Sequence, residues 1–205
     1  MARKVFYSFN YKRDSQRAAQ VRNSHALADE DEYGVIDSVE WEKVERGGKE
    51  AIKKWINEQL QYTSVTAVLI GAETADREWI NYEIRESWKR GNGLVGVLIH
   101  NVKNLDGKTD VPGSNPFDSI HLKDGTSLSS IYKIYDWVSG DGITSLGKWV
   151  EEAFKTRETY AGEKELKDES SNDNGGSVLV RPQPQTPSTG PVVVNRPPAQ
   201  PWSNA

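Results

Sequence analysis

The sequence predicts an α/β fold built on a doubly wound parallel sheet of about five strands with flanking helices. Three observations lead there. Between residues 3 and 160 a strand-like and a helix-like hydrophobic period take turns. The central strand candidates are apolar on both faces, as strands covered by helices on each side must be. After residue 161 the composition changes abruptly, which separates this alternating part from the rest of the chain.

The elements follow in order. "KVFYSF" is a strand candidate, and "RDSQRAAQVRNSHAL" after it can form a helix; "YGVID" is a short second strand. "GGKEAIKKWINEQL" sets Ala51, Ile52, Trp55, Ile56 and Leu60 on one helical stripe, with Gly47 and Gly48 just ahead of its start. "VTAVLIG" is an apolar run of strand length, and a helix from about Arg77 to Arg90 follows it. "GNG" punctuates before the buried strand "LVGVLIH". "KIYDWV" is a weaker strand, and "SLGKWVEEAF" places Leu146, Trp149, Val150, Ala153 and Phe154 on one face of a last helix.

The rest of the chain reads differently. Pro182, Pro184, Pro187, Pro191, Pro197, Pro198 and Pro201 crowd its end, preceded by the charged and then small polar run "GEKELKDESSNDNGGS". Too little apolar surface remains there to offset the entropy of ordering, so residues 1–161 are expected to be the folded domain and residues 162–205 a disordered, proline-rich tail.

Composition excludes several function classes. The formal charge of −4 with a pI near 5.5 provides no general field for nucleic acid or an anionic membrane surface. The chain has no cysteine, which removes disulfides, thiolate metal sites and thiol nucleophiles and makes the cytoplasm the default compartment. The start "MARKVFYSFN" lacks the long apolar run of a signal peptide, and nothing later approaches the length of a membrane span.

The common α/β chemistries also find no residues. "NYKRDSQ" after the first strand contains no glycine, so a phosphate-cradling loop is unsupported. His25, His100 and His121 are scattered without ligand spacing, and no metal site is expected. No serine has the flanking glycines of a nucleophile elbow.

What remains is Glu83 in "ADREWINYEIRESW". With about 100° per residue, Ile80, Ile84 and Trp88 form a buried stripe and Glu83 falls at its margin, one turn after Trp79. In doubly wound sheets ligands bind beyond the carboxyl ends of the strands, and this helix directly follows one of them. Periodicity alone leaves open a pairing with Arg85 or Arg90, or a simple cap on the edge of the core.

The order "KVFYSFNYKRD", "YGVID" and "LIGAETADREWINYEI" resembles the Toll/interleukin-receptor (TIR) pattern, with its Trp-x-x-x-Glu helix after the third strand. More narrowly, "VRNS", "EWINYEI", "LIHNVKN" and "SLGKWVEEA" are similar to the TIR-like family that supplies the sensor subunit of the bacterial Thoeris anti-phage system. This resemblance covers roughly residues 3 to 156. It implies a flavodoxin-like arrangement and an enzyme, an NAD glycohydrolase or ADP-ribosyl cyclase, in which NAD is the substrate and no bound cofactor is needed. It also implies that Glu83 is the catalytic residue and that a cyclic ADP-ribose isomer is released as an immune signal. Phe6 and Ser8 lie at the end of the first strand, and by family position Ser8 or Asn10 contacts ribose or phosphate, against strand packing plus a turn; Asp37 ends the second strand at a crevice position or serves as a helix N-cap or turn, and Trp79 either stacks on a flat ring or is a half-buried core aromatic. Partners in this reading are NAD, other copies or other TIR-like domains, and a phage protein as trigger. The alternative is a non-catalytic TIR-like interaction or nucleotide-binding module. The chain departs from common TIR sequences at Arg77, Glu78, Trp79 and Ile80, where Ser-x-Trp-Cys is frequent, and in the loop "SVEWEKVERGGKE".

One carboxylate suits that chemistry. Most glycosidases employ two carboxyls because the leaving group departs as a poor alkoxide. Nicotinamide is cationic while attached and leaves neutral, so only an oxocarbenium-like ribose needs stabilising, and a single anion in a water-poor cleft can do that. Hydrolysis or cyclisation then depends on geometry and water exclusion.

Overall fold

The computed structural model describes residues 3–24, 43–75, 77–162 and 165–168. Within them four strands form one sheet: β1 (Val5–Ser8), β2 (Val65–Ile70), β3 (Gly93–Leu98) and β4 (Ile134–Asp136). They lie side by side in that order and every pairing is parallel, with Ser8 opposite Val68 and Leu98 opposite both Ile70 and Asp136. The strand expected at residues 33–37 lies outside the described residues, as does the tail from residue 169 onward.

Parallel neighbours require crossovers, and helices supply them. Between the strands lie α1 (Tyr11–Arg22), α2 (Gly48–Leu60), α3 (Glu78–Arg90) and the short α4 (Leu128–Ile131), and α5 (Gly142–Thr159) follows β4. Alternation along the strands sorts the core into two layers. On one face Val5, Tyr7, Val65, Ala67, Leu69, Val95 and Val97 meet Ala18 and Val21 of α1 and Leu146, Trp149, Val150 and Ala153 of α5. On the other face Val68, Ile70 and Leu94 meet Ile80, Ile84 and Trp88 of α3, while Phe6 meets Ile52, Ile56 and Leu60 of α2. The sheet is therefore covered on both faces, which is why β2 and β3 are buried almost end to end and, Thr66 apart, apolar rather than alternating. Each fully buried Leu, Ile or Phe contributes about 1.5–3 kcal/mol of transfer free energy.

Three features fix α3, the helix that carries Glu83. Gly91 ends it in the left-handed region at φ 89°, a conformation that costs a residue with a Cβ but not glycine. Beside the apolar stripe runs a polar one: Ser87 Oγ shares a hydrogen bond of 2.7 Å with Thr66 Oγ1 of β2, buried inside the sheet–helix interface. From the C-terminal helix, the Arg157 guanidinium lies 4.3 Å over the Trp88 ring and donates through Nη2 to the Trp88 carbonyl at 3.2 Å. Between β3 and β4 the chain makes a 3-10 turn at Pro116–Ser119, capped by the Asn115 side chain, and packs Phe117 and Ile120 against α3. After α5, Leu166 pairs with Leu122.

Candidate active site

The carboxyl end of β1 and the face of α3 come together at one buried contact. Ser8 Oγ donates to Glu83 Oε2 at 2.6 Å, with both residues buried. Strand alternation explains the serine: Phe6 and Ser8 point to the same side of β1, Phe6 into the α2 layer and Ser8 onto α3. Helical spacing explains the glutamate, which sits one turn before Ser87 in the polar stripe and next to Ile84 in the apolar one. Arg85 donates to the Lys167 carbonyl and Arg90 to Asn57 Oδ1, so the pairings of Glu83 that periodicity leaves open are not made. Glu86, three residues on, holds Lys89 at 2.8 Å at the surface.

Burial without a counter-charge governs Glu83. Only 7% of the residue is exposed, and desolvation pushes its carboxyl up to about 8, against the smaller downward pull of the Ser8 hydroxyl. The free protein at neutral pH therefore holds Glu83 mostly protonated, and a cation arriving beside it would favour the carboxylate. A group tuned in this way near a strand end is a functional candidate on physical grounds.

The other predicted residues distribute around this pair. Asn10, 5% exposed, follows Ser8 by two positions at the N-cap of α1; with its side-chain amide oriented so that the oxygen faces Arg77, it accepts from Arg77 Nε and Nη2 at 3.3 and 3.2 Å. Trp79 is half-buried, edge-on to Tyr82 at 6.1 Å between ring centres, and rests on the layer that contains Phe6. Phe6 itself is 1% exposed, enclosed by α2, so it shapes the floor under the site and has no free face for a ligand. Asp37 lies outside the described residues. The structure thus brings together Glu83, Ser8, Asn10 and Trp79.

Sequence reasoning passed over a second buried acid. Asp14 in the first turn of α1 is 0% exposed, and neither of its oxygens has a hydrogen-bond partner among the described residues. It lies against the backbone of Gly71, where a Cβ would come within 2.3 Å of Asp14 Oδ2, so any larger residue after β2 would have to displace the Asp14 carboxyl. Desolvation raises Asp14 to about 6, moderated by Arg17, whose Nη1 is 3.7 Å from Oδ1. The signal was available: Asp14, Arg17, Ala18 and Val21 occupy one helical stripe at spacings of three, one and three. Around the same rim, Arg13 grips Asp110 with Nε and Nη2 at 3.1 and 3.0 Å and reaches Glu73 with Nη1 at 2.7 Å.

A family model described as the Thoeris protein ThsB, TIR-like domain, matches residues 6–104, the segment that contains Ser8, Asn10, Trp79 and Glu83. A protein of Bacillus cereus (strain MSX-D12), named as a candidate cyclic ADP-D-ribose synthase ThsB1, is 32% identical over 191 residues, spanning 73% of this chain and 100% of the relative. Among the described residues no helix is long and apolar enough to cross a membrane.

Proposed function

Because the chain belongs to the TIR-like family of Thoeris ThsB proteins, we propose that it cleaves NAD at the nicotinamide–ribose bond and releases a cyclic ADP-ribose-type signal in anti-phage defence. The observation that carries this reading is the buried Ser8–Glu83 pair at the carboxyl end of the sheet, an acid with one donor and no cation beside it among the described residues. NAD supplies the missing positive charge. Its nicotinamide ring nitrogen is cationic, and as the bond from ribose C1′ breaks, the bonding electrons pass to that nitrogen and the charge moves onto the ribose.

Glu83 acts as the anion for that migrating charge. Binding of the cationic substrate draws its proton off, and the carboxylate then stabilises the oxocarbenium-like ribose in a site that water barely reaches. Ser8 holds Oε2 and so fixes the carboxylate plane before substrate arrives. Trp79, half-buried one turn earlier, offers its ring for stacking. Attack on C1′ by a nucleophile of the same ADP-ribose gives a cyclic product; attack by water gives linear ADP-ribose. NAD is thus substrate, and no resident cofactor is assigned. The reading places the protein in the cytoplasm, with association between copies and a phage protein as trigger completing the active state.

Incubating the purified protein with NAD, with and without lysate of phage-infected cells, tests the assignment through released nicotinamide. Nicotinamide together with a cyclic product is the expected result. Absence of nicotinamide under both conditions, or Glu83→Gln turning over like the unaltered protein, defeats it.

A further inference from the structure

Arg77 stands where helix chemistry argues against it. It is the N-cap residue of the 13-residue α3, with extended backbone at φ −94° and ψ 123°, and its own side chain makes no capping hydrogen bond. Serine, threonine, aspartate and asparagine are preferred at that position because they accept from the orphan amides; arginine has no acceptor and adds positive charge to the positive end of the helix dipole. A local rule broken in this way is expected where function demands it.

The guanidinium is nonetheless held in one place. Asn10, buried at the exit of β1, accepts from Nε and Nη2, and Glu73 Oε2 accepts from Nη2 at 2.5 Å. Its remaining nitrogen, Nη1, has no partner among the described residues, and the Arg77 side chain is 46% exposed. The anchor matters for position. Asn10 is two residues beyond Ser8, and Trp79 is two residues beyond Arg77, so the cation is tied to both strands of chain that form the Ser8–Glu83 contact. Arg13, by comparison, spends Nε and Nη2 on Asp110 and Nη1 on Glu73.

We propose that Arg77, pinned on Asn10, is the residue that receives the diphosphate of the dinucleotide substrate and so positions the scissile bond at Glu83. This rests on the NAD-cleaving reading above. A planar guanidinium fork suits a diphosphate, which presents paired oxygens at matching spacing. The overall charge of −4 gives an anionic substrate little attraction elsewhere, so a placed cation beside the site decides its register. Glu73 is the internal anion that holds Arg77 at rest, and the substrate's phosphates displace it.

The test compares full-length protein with Arg77→Gln and Arg77→Lys, using NAD steady-state kinetics and calorimetric binding of ADP-ribose, which keeps the diphosphate but lacks nicotinamide. Arg77→Gln is expected to raise the KM for NAD and the Kd for ADP-ribose by about tenfold or more while kcat stays within about threefold, and Arg77→Lys to recover part of the loss. An unmoved KM and Kd overturn the proposal, and so does a fall in kcat at constant KM, which is what a merely structural cap would produce. If the unaltered protein fails to cleave NAD yet binds ADP-ribose in an Arg77-dependent way, the function is refuted and the anion site stands. If NAD is cleaved and Arg77→Gln changes neither constant, the anion site is refuted and the function stands.

Discussion

Glu83 and Asp14 are buried on opposite faces of the sheet near its carboxyl end, and burial keeps both protonated to higher pH than an exposed carboxyl. Their surroundings differ in kind. Among the described residues Asp14 has no hydrogen-bond donor but has a guanidinium close by, Arg17, itself anchored on the Val102 and Lys108 carbonyls. Glu83 has a hydrogen-bond donor, Ser8, but no opposing charge beside it among the described residues. One acid is neutralised from within the fold, and the other waits for a cation from outside. The comparison separates a carboxyl that belongs to the architecture from one that belongs to the chemistry, although burial alone would rank Asp14 first.

The largest expected effect comes from removing the charge that the reaction uses. Glu83→Gln is isosteric and is expected to lower kcat for NAD by about 10²–10³-fold or more, with Glu86→Gln within about threefold of the unaltered enzyme, read as nicotinamide release. Asp14→Asn is expected to leave that rate within about threefold as well; a collapse of turnover there would erase the distinction between the two acids.

Protonation sharpens it next. Glu83 must lose its proton to act, so kcat/KM for NAD is expected to rise with pH along a limb near 8, which reports the free enzyme. The limb in kcat should lie at lower pH, because the bound substrate cation favours the carboxylate. Two coincident limbs would mean that the substrate's charge does not reach Glu83. Ser8→Ala removes a hydrogen bond that favours the ionised form, and is expected to move the kcat/KM limb up by about one unit.

Stability against pH gives the smallest effect. Asp14 has a folded value of about 6 above its ordinary 3.8, so its contribution to stability is fully present below 3.8 and is lost as pH rises through 6. Glu83 follows the same sign over a higher window, from its ordinary 4.5 through about 8. Relative to the unaltered protein, Asp14→Asn should therefore gain melting temperature mainly between pH 4 and 6, and Glu83→Gln mainly between pH 5 and 8, at about 2–4 °C per kcal/mol. Gains appearing in the same window for both would show that the acids are coupled across the sheet.

Much of this was legible because apolar spacing reports burial directly. Ile52, Ile56 and Leu60 on α2 and Leu146, Trp149, Val150 and Ala153 on α5 are buried as their stripes require, and β2 and β3 read as doubly covered strands. Glu83 could be picked out as a margin acid, but the identity of its partner could not, since Ser8 lies 75 residues away and no local pattern links a strand end to a distant helix face. Phe6 shows the same limit from the other side: a strand-end aromatic looks available for a ligand until α2, some fifty residues later, is laid over it. Asp14 went unread because acids on a helix stripe are ordinarily solvated, and only the third dimension puts Gly71 against it. The Arg77–Asn10 contact joins two loops that share no periodicity at all.

The contact between Arg157 and Trp88 has a bearing on how the chain can be shortened or joined to other proteins. The last helix lies far along the chain from every residue assigned a part in the chemistry, and the family match ends well before it. Yet Arg157 stacks on a side chain of the very helix that carries Glu83 and bonds its backbone. A fragment cut at the limit of that match would keep every named site residue but lose this brace together with the α5 side chains and the Phe117 layer that cover the sheet, so it is expected not to fold. Any reporter or fusion partner is better attached after residue 168, where the last described contacts have already been made.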